Sequence, residues 1–197
     1  MDIAQLQKAG LGAYFRPRDL AQFGISHRKL MGLVADGLVK SLGNGLYRIS
    51  EVESTEAETI AMVAAAIPNA IMCLLTALRF HEIGTQSPHV TWIALDRKAR
   101  KPTRAPARVR VVRFSGALLS YGVTRHSVLG VPFRITSPAR TVVDCFRYRN
   151  KIGLDIALEA LGDALRSRAV TVDEVVRASE VCRAQTVMRS YLEALLV

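Results

Sequence analysis

The segment Tyr14–Ser50, YFRPRDLAQFGISHRKLMGLVADGLVKSLGNGLYRIS, contains the signals that predict the structure of the start of the chain. Proline is well suited to the first turn of a helix, so Pro17 predicts a helix over residues 16–22. A turn at Phe23-Gly24-Ile25 follows. Ser26 can act as the N-cap of another helix, which Gly37 should end. The segment therefore predicts two short helices separated by a tight turn.

A β-hairpin is predicted directly after these helices. Gly43-Asn44-Gly45 lies between two short apolar runs, which is a strong hairpin signal. Another short helix, with the sequence DIAQLQKA, precedes the segment. The order helix, helix, turn, helix, hairpin is typical of a winged helix-turn-helix. We therefore expect a DNA-binding domain of this type over residues 1–50.

The helix after Ser26 has two different faces when its residues are placed at intervals of about 100°. One face is apolar and would form a small core with neighbouring elements; this core comprises Leu30, Leu33, Val34, Leu20, Ile25, Leu38 and Ile49. The opposite face carries Arg28, Gly32 and Ala35, flanked by Lys29. Small side chains let a helix lie close to another surface, and cations near its N-terminus can reach base edges or phosphates. This face predicts binding in the major groove, with Arg28 as a bidentate partner for guanine.

Other predicted DNA contacts surround this helix. Arg16, Arg18, Lys40 and Arg48 are expected to contact phosphates, which position a protein without specifying sequence. Asn44 at the hairpin tip could enter the minor groove, and His27 is expected to support its neighbours. The complete predicted DNA-binding set is Arg16, Arg18, Ser26, His27, Arg28, Lys29, Gly32, Lys40, Asn44 and Arg48.

The composition of the whole chain agrees with an anionic partner. The 197 residues include 27 Lys and Arg against 17 Asp and Glu, which gives a net charge of +10 and a pI near 10.1. An excess of this size favours nucleic acid as the partner, ahead of a membrane surface, although some soluble proteins are basic without a functional reason. Half of the residues are hydrophobic and 22% are charged, as in soluble globular proteins.

Cysteine and histidine usage predicts a cytoplasmic protein without a cofactor. Cys73, Cys145 and Cys182 are scattered among apolar residues, as expected for buried thiols in a reducing compartment. The four histidines lack the spacing of metal ligands, so no metal is expected. The N-terminus has no apolar core of a signal peptide.

The remainder of the chain predicts a mixed α/β domain over residues 51–197 that ends in a helical bundle. Residues 59–78 carry no charge over about the length of a membrane span, but Pro68-Asn69 interrupts them, which favours two buried helices. The second of these helices is expected to run from residue 71 to Gly84. Strands are expected at 89–95 and 109–114, and a strand pair bent at Gly130 and Pro132 follows. The expected fold class is α+β, and no membrane contact is expected.

A second basic region follows the strand at 89–95. Arg97, Lys98, Arg100, Lys101 and Arg104 form a possible patch, and further arginines without an intervening acid follow at 108, 110 and 113. This run is either a solvated flexible loop or a second electrostatic surface that lengthens a DNA footprint or binds RNA. Arg140 and Asp144 are different, because their i,i+4 spacing on a helix predicts a structural ion pair.

Two other classes of function, an enzyme and a protein-interaction module, are the alternatives to a DNA-binding regulator. Asp96 and Lys98 at the end of a strand have the spacing of a metal-dependent nuclease, but the preceding strand offers no second acid for a metal. The chain has no phosphate-binding GxxxxGK and no GxSxG motif, so we expect no enzyme. The remaining alternative is a protein-interaction module that binds a cognate toxin.

Segments across nearly the whole chain resemble the AbiEi-type antitoxins, the transcriptional-regulator half of bacterial abortive-infection toxin–antitoxin pairs. The matching segments are GLGAYFRPRDLAQFGISHRKLMGLVADGLVKSLGNGLYRIS, LTALRFHEIGTQSPHVTWIAL, SPARTVVDCFRYRNKIGLDIALEAL and VMRSYLEALL. No single motif is diagnostic, and the order of the segments carries the resemblance.

The resemblance implies a function as well as a fold. It implies an N-terminal winged helix that binds inverted repeats in double-stranded DNA at its own promoter, with residues 26–29 starting the recognition helix and 43–45 forming the wing. It implies a C-terminal antitoxin domain that opposes a nucleotidyltransferase-like toxin without a stable complex, and a monomer or weak dimer. It supplies no catalytic residue. Related chains are often longer than this one.

Overall fold

The computed structural model describes residues 3–52, 58–103 and 105–195. The chain divides into two compact units. The first comprises residues 1–70, 102–108 and 125–133, and the second comprises 71–101, 109–124 and 134–197. Arg104 of the predicted second basic patch lies outside the described residues.

The first unit combines short helices with a small antiparallel sheet. Its elements are α1 (Ile3–Lys8), β1 (Tyr14–Phe15), a 3-10 helix (Pro17–Phe23), α2 (His27–Ala35), β2 (Val39–Gly43), β3 (Leu46–Ile49) and α3 (Glu58–Ala66). The strand order is β1-β3-β2. The two helical segments and the hairpin that the sequence predicts between residues 16 and 49 are thus present, the first as a 3-10 helix.

Turn and capping residues explain where these elements begin and end. Pro17 occupies the first turn of the 3-10 helix, and Gly24 ends it with a φ of 66° in the left-handed region. The Ser26 side chain then accepts a hydrogen bond of 3.3 Å from the backbone N–H of Lys29, which caps α2. Gly37, with a φ of 74°, follows the C-terminal end of α2.

The core of the first unit contains the predicted residues with one correction. Leu20, Ile25, Leu30, Leu33 and Ile49 are buried in one cluster. The prediction for Leu38 is wrong, because its side chain is 37% exposed while that of Val39 is 1% exposed. The N–H of Leu38 bonds to the carbonyl oxygen of Leu33 at 3.0 Å and closes the turn after α2, so Val39 is the first inward residue of β2.

The second unit contains most of a mixed five-stranded sheet and the C-terminal helices. Its elements are β4 (Ile71–Met72), α4 (Leu74–Phe80), β5 (Thr91–Asp96), β6 (Val109–Phe114), a 3-10 helix (Gly116–Leu119), β7 (Val123–Val128), β8 (Val131–Thr136), α5 (Pro138–Arg147), α6 (Arg149–Ile152), α7 (Leu154–Arg166), α8 (Val172–Val181) and α9 (Gln185–Leu195). Residues 125–133, at the turn between β7 and β8, belong to the first unit. The strand order is β6-β5-β4-β8-β7, and β5 pairs parallel with β6 but antiparallel with β4. The α+β class is therefore confirmed.

Two predictions for this part of the chain need correction. Ile71 and Met72 form a strand instead of the start of a helix, because they pair with β5 on one side and with Arg134 and Ile135 of β8 on the other. The following helix, α4, ends at Phe80, before the predicted end at Gly84. Within the described ranges, no helix is long and apolar enough to cross a membrane.

The predicted ion pair on α5 is confirmed, and it is fully buried. Arg140 Nε lies 2.8 Å from Asp144 Oδ2, and both side chains are 0% exposed. The other carboxylate oxygen of Asp144 accepts a bond of 2.7 Å from Arg147. Arg140 also donates to the carbonyl oxygen of Tyr121 at 2.8 Å and lies over the ring of Phe114. A charged pair thus forms part of the core of the second unit.

Candidate nucleic-acid interface

The exposed face of α2 carries the residues that the sequence predicts for binding in the major groove, together with the supporting His27. His27, Arg28, Lys29, Gly32 and Ala35 are exposed, whereas Leu30 and Leu33 on the other face are buried. No heavy atom of the described residues lies within 4 Å of the position that a Cβ at Gly32 would occupy, apart from the neighbouring helix backbone. The flank of α2 is therefore open beside its two N-terminal cations.

The hairpin between β2 and β3 has a narrow, exposed tip. Asn44 and Gly45 have φ angles of 51° and 69°, as the two-residue Asn-Gly turn of a hairpin requires. Lys40 is exposed on β2 and lies opposite Arg48 on β3. Lys40 and the tip are thus accessible to a ligand of the first unit.

Arg48, which the sequence assigns to phosphate contact, is held inside the first unit. Its Nε lies 3.1 Å from both the Tyr14 hydroxyl and Glu58 Oε1, and its Nη2 donates to the carbonyl oxygen of Val52 at 2.9 Å. The Tyr14 hydroxyl donates to the same Glu58 carboxylate. Burial, together with the hydrogen bond to Glu58, raises the pKa of Tyr14 to about 12. The hydrogen bond with Tyr14 raises the pKa of Arg48.

Arg16 and Arg18 are neighbours in sequence but have different surroundings. Arg16 is half-buried and donates to the carbonyl oxygens of Ala65 at 3.1 Å and Ala66 at 2.8 Å. Its Nη1 also lies 3.4 Å from the carbonyl oxygen of Asn44. Arg18 is 64% exposed, and its Nε lies 3.7 Å from Asp19. The structure therefore leaves Arg18 accessible and uses Arg16 within the unit.

Tyr14 and Glu58 are the residues of this site that sequence reasoning missed. Both take part in the bonds that hold Arg48, although Tyr14 and Glu58 are separated by 44 positions. Glu58 opens α3, where an acid is favoured by the helix dipole, and such a local signal predicts the start of a helix but no contact with Arg48.

The second basic patch lies at the end of β5 in the second unit. Arg97, Lys98, Arg100 and Lys101 are exposed. Arg113 donates to the carbonyl oxygens of Asp96 and Ala99, both at 2.8 Å, and so holds the turn that carries the patch. The patch therefore starts on a fixed turn.

Asp96, the acid of the nuclease alternative, takes part in the same turn. Its Oδ1 accepts a hydrogen bond of 2.8 Å from the backbone N–H of Lys98. In the part of the chain that the structure describes, no group of three or more His, Cys, Asp and Glu side chains is placed to hold a metal ion. The carboxylate of Asp96 thus has a local role in the loop.

Comparison with known proteins gives a fold-level likeness. No protein-family model and no curated protein matches the chain. The chain is similar to the crystal structure of the RV2827C protein from Mycobacterium tuberculosis, with a TM-score of 0.57 and 13% sequence identity over 85% of this chain and 66% of that chain. It thus spans slightly less than two thirds of the length of that protein, and at this identity the likeness concerns the fold alone.

Proposed function

We propose that the protein is a sequence-specific DNA-binding regulator of transcription that reads its site with α2, in a winged helix-turn-helix formed by residues 1–50. The observation that carries this proposal is the exposed face of α2, with Arg28 and Lys29 at its N-terminal turn and open space at Gly32. A recognition helix needs this arrangement, because its N-terminal side chains contact bases in the major groove. The net charge of +10 supports binding to the phosphate backbone.

The direct test compares binding to the upstream promoter with binding to a random duplex of equal length. Fluorescence anisotropy at moderate salt should give a preference for the promoter of about 1,000-fold or more, as is typical of specific DNA-binding proteins. A footprint should then locate the inverted repeats. If the protein binds the promoter no better than the random duplex, the regulator proposal is wrong.

We further propose that the protein acts as the antitoxin of an AbiEi-like pair and represses its own operon. The resemblance of the four segments quoted above supports this part. The functional partner would be a nucleotidyltransferase-like toxin from a neighbouring gene. The protein would oppose this toxin without forming a stable complex with it. Co-expression of the protein with the toxin should restore the growth of cells that the toxin inhibits. The two proteins should not co-purify. Co-purification of the two proteins would favour a protein-interaction module instead.

Arg28→Ala should weaken binding to the promoter by about 1–3 kcal/mol, because a bidentate contact to guanine is worth about this much. The loss on random duplex should be much smaller, so sequence preference should relax. Arg177→Ala, the same change at an exposed position of α8 in the second unit, serves as the control. Equal losses on the two duplexes would show that Arg28 contacts only phosphate.

Lys40→Ala should weaken binding to promoter and random duplex equally. Lys40 is exposed on β2, and a phosphate contact there would release counterions without reading sequence. The slope of log K against log salt should become shallower by about 0.9. Lys8→Ala, at an exposed position of α1, is the control and should leave the slope unchanged. An unchanged slope in Lys40→Ala would remove Lys40 from the interface.

A further inference from the structure

Arg16 joins two parts of the first unit that are far apart in sequence. Its side chain contacts the last carbonyl groups of α3 through Nε and Nη2, at 3.1 and 2.8 Å. Its Nη1 lies 3.4 Å from the carbonyl oxygen of Asn44, at the hairpin tip. The backbone N–H of Arg16 donates to Asp19 Oδ2 at 2.7 Å, and this bond holds the backbone from which the side chain extends. One guanidinium thus connects the 3-10 helix, the end of α3 and the hairpin tip.

The chemistry of these contacts suits a guanidinium. The last carbonyl groups of a helix have no partner within the helix and form the negative end of its dipole, so a cation is favourable there. The planar fork of arginine can donate to several acceptors at once, whereas the ammonium group of lysine is a compact point charge. The half-buried position of Arg16 strengthens these bonds relative to those of an exposed side chain.

A second anchor holds the base of the same hairpin. Arg48 on β3 bonds to Glu58, the first residue of α3, and to Tyr14 on β1. The hairpin is therefore attached to the start of α3 through Arg48 and to its end through Arg16. Since α3 has nine residues, these two attachments lie at opposite ends of one rigid element. The tip and the base of the hairpin are therefore both connected to α3.

We propose that Arg16 is a positioning residue of the DNA-binding surface: it holds the Asn44 tip in the orientation that enters a DNA groove, and it does not itself contact phosphate. This inference rests on the proposed function. It reassigns a residue that the sequence places in the phosphate-contacting set. It also predicts that charge alone cannot replace the side chain, because the three carbonyl groups require the geometry of the guanidinium.

The test measures binding of the full chain to the promoter duplex across a range of salt concentrations. Arg16→Gln and Arg16→Lys should each weaken binding about 5- to 10-fold, the effect of about one hydrogen bond, with an unchanged salt slope. In an Asn44→Gly background, the same substitutions at Arg16 should cause no further loss. Arg18→Gln, which removes an exposed charge two positions away, should make the slope shallower by about 0.9 and serves as the comparison. Urea unfolding confirms that each variant is folded under the binding conditions.

Three results with the Arg16 variants would overturn the positioning role. A shallower slope in Arg16→Gln that Arg16→Lys restores would identify a phosphate contact and overturn the inference. Equal losses with and without the Asn44 side chain would also overturn it, as would full binding in both Arg16 variants. If the unmodified protein does not prefer the promoter over random duplex, the proposed function fails, and the positioning role fails with it.

Discussion

Gly32→Leu should reduce promoter binding about 10- to 100-fold while leaving the protein folded. The added side chain enters open space in the free protein, because no described atom beyond the neighbouring helix backbone lies within 4 Å of a Cβ at this position. Leucine is also a better helix former than glycine, by somewhat less than the difference of about 0.8–1 kcal/mol between alanine and glycine, so the free energy of unfolding should not fall. In the proposed complex with DNA, the same side chain would overfill the close contact between α2 and the major groove, at a cost of about 1.4–2.8 kcal/mol.

The matched control for this variant is Gly162→Leu. Gly162 lies within α7 in the second unit, and a Cβ there would meet only the end of the Arg166 side chain, at 3.8 Å. Gly162→Leu should leave promoter binding unchanged, and urea unfolding shows whether leucine is tolerated at this half-buried position. Anisotropy with the promoter duplex and urea unfolding are measured on both variants. If Gly32→Leu binds like the unmodified protein, this flank of α2 does not approach DNA.

The sequence predicts the local structure of the first unit well because its signals are local. Ser26 and Gly37 mark the two ends of α2, and Asn44 marks the hairpin tip, each through its own backbone preference. The predicted burial of Leu38 is wrong because it depends on which residue after Gly37 is the first to point into the core. The bond from Leu38 to Leu33 decides this, and the apolar pattern fits either choice.

Long-range contacts decide two further features that the sequence pattern leaves open. Ile71 and Met72 carry an apolar pattern that suits a helix or a strand, and only pairing with β5 and β8 selects the strand. Arg16 resembles a solvated cation in sequence, because its partners Ala65 and Ala66 offer only backbone carbonyl groups. The sequence therefore shows which residues are basic, but the fold determines which of these charges remain available to a ligand.

Asp144→Asn should destabilise the second unit by about 3–5 kcal/mol, the usual effect of breaking a buried ion pair by removing one partner. The substitution leaves Arg140, which is 0% exposed, without a counterion. It also removes the negative charge of the group that accepts a hydrogen bond from Arg147. Urea unfolding followed by the fluorescence of Trp92 measures the effect. Trp92 is the single tryptophan, is 5% exposed and lies in the core of this unit.

The double variant Arg140→Met/Asp144→Val separates the cost of an unpaired charge from the value of the pair itself. The pair is expensive to bury, and Arg140 Nη2 has no hydrogen-bond partner among the described residues. Replacing both charges by apolar side chains of similar volume should therefore recover most of the stability lost in Asp144→Asn. Arg189→Gln, which breaks an exposed i,i+4 pair on α9, should leave the unfolding midpoint almost unchanged. A loss below about 1 kcal/mol in Asp144→Asn would instead mean that water reaches Arg140, since a solvated charge needs no partner.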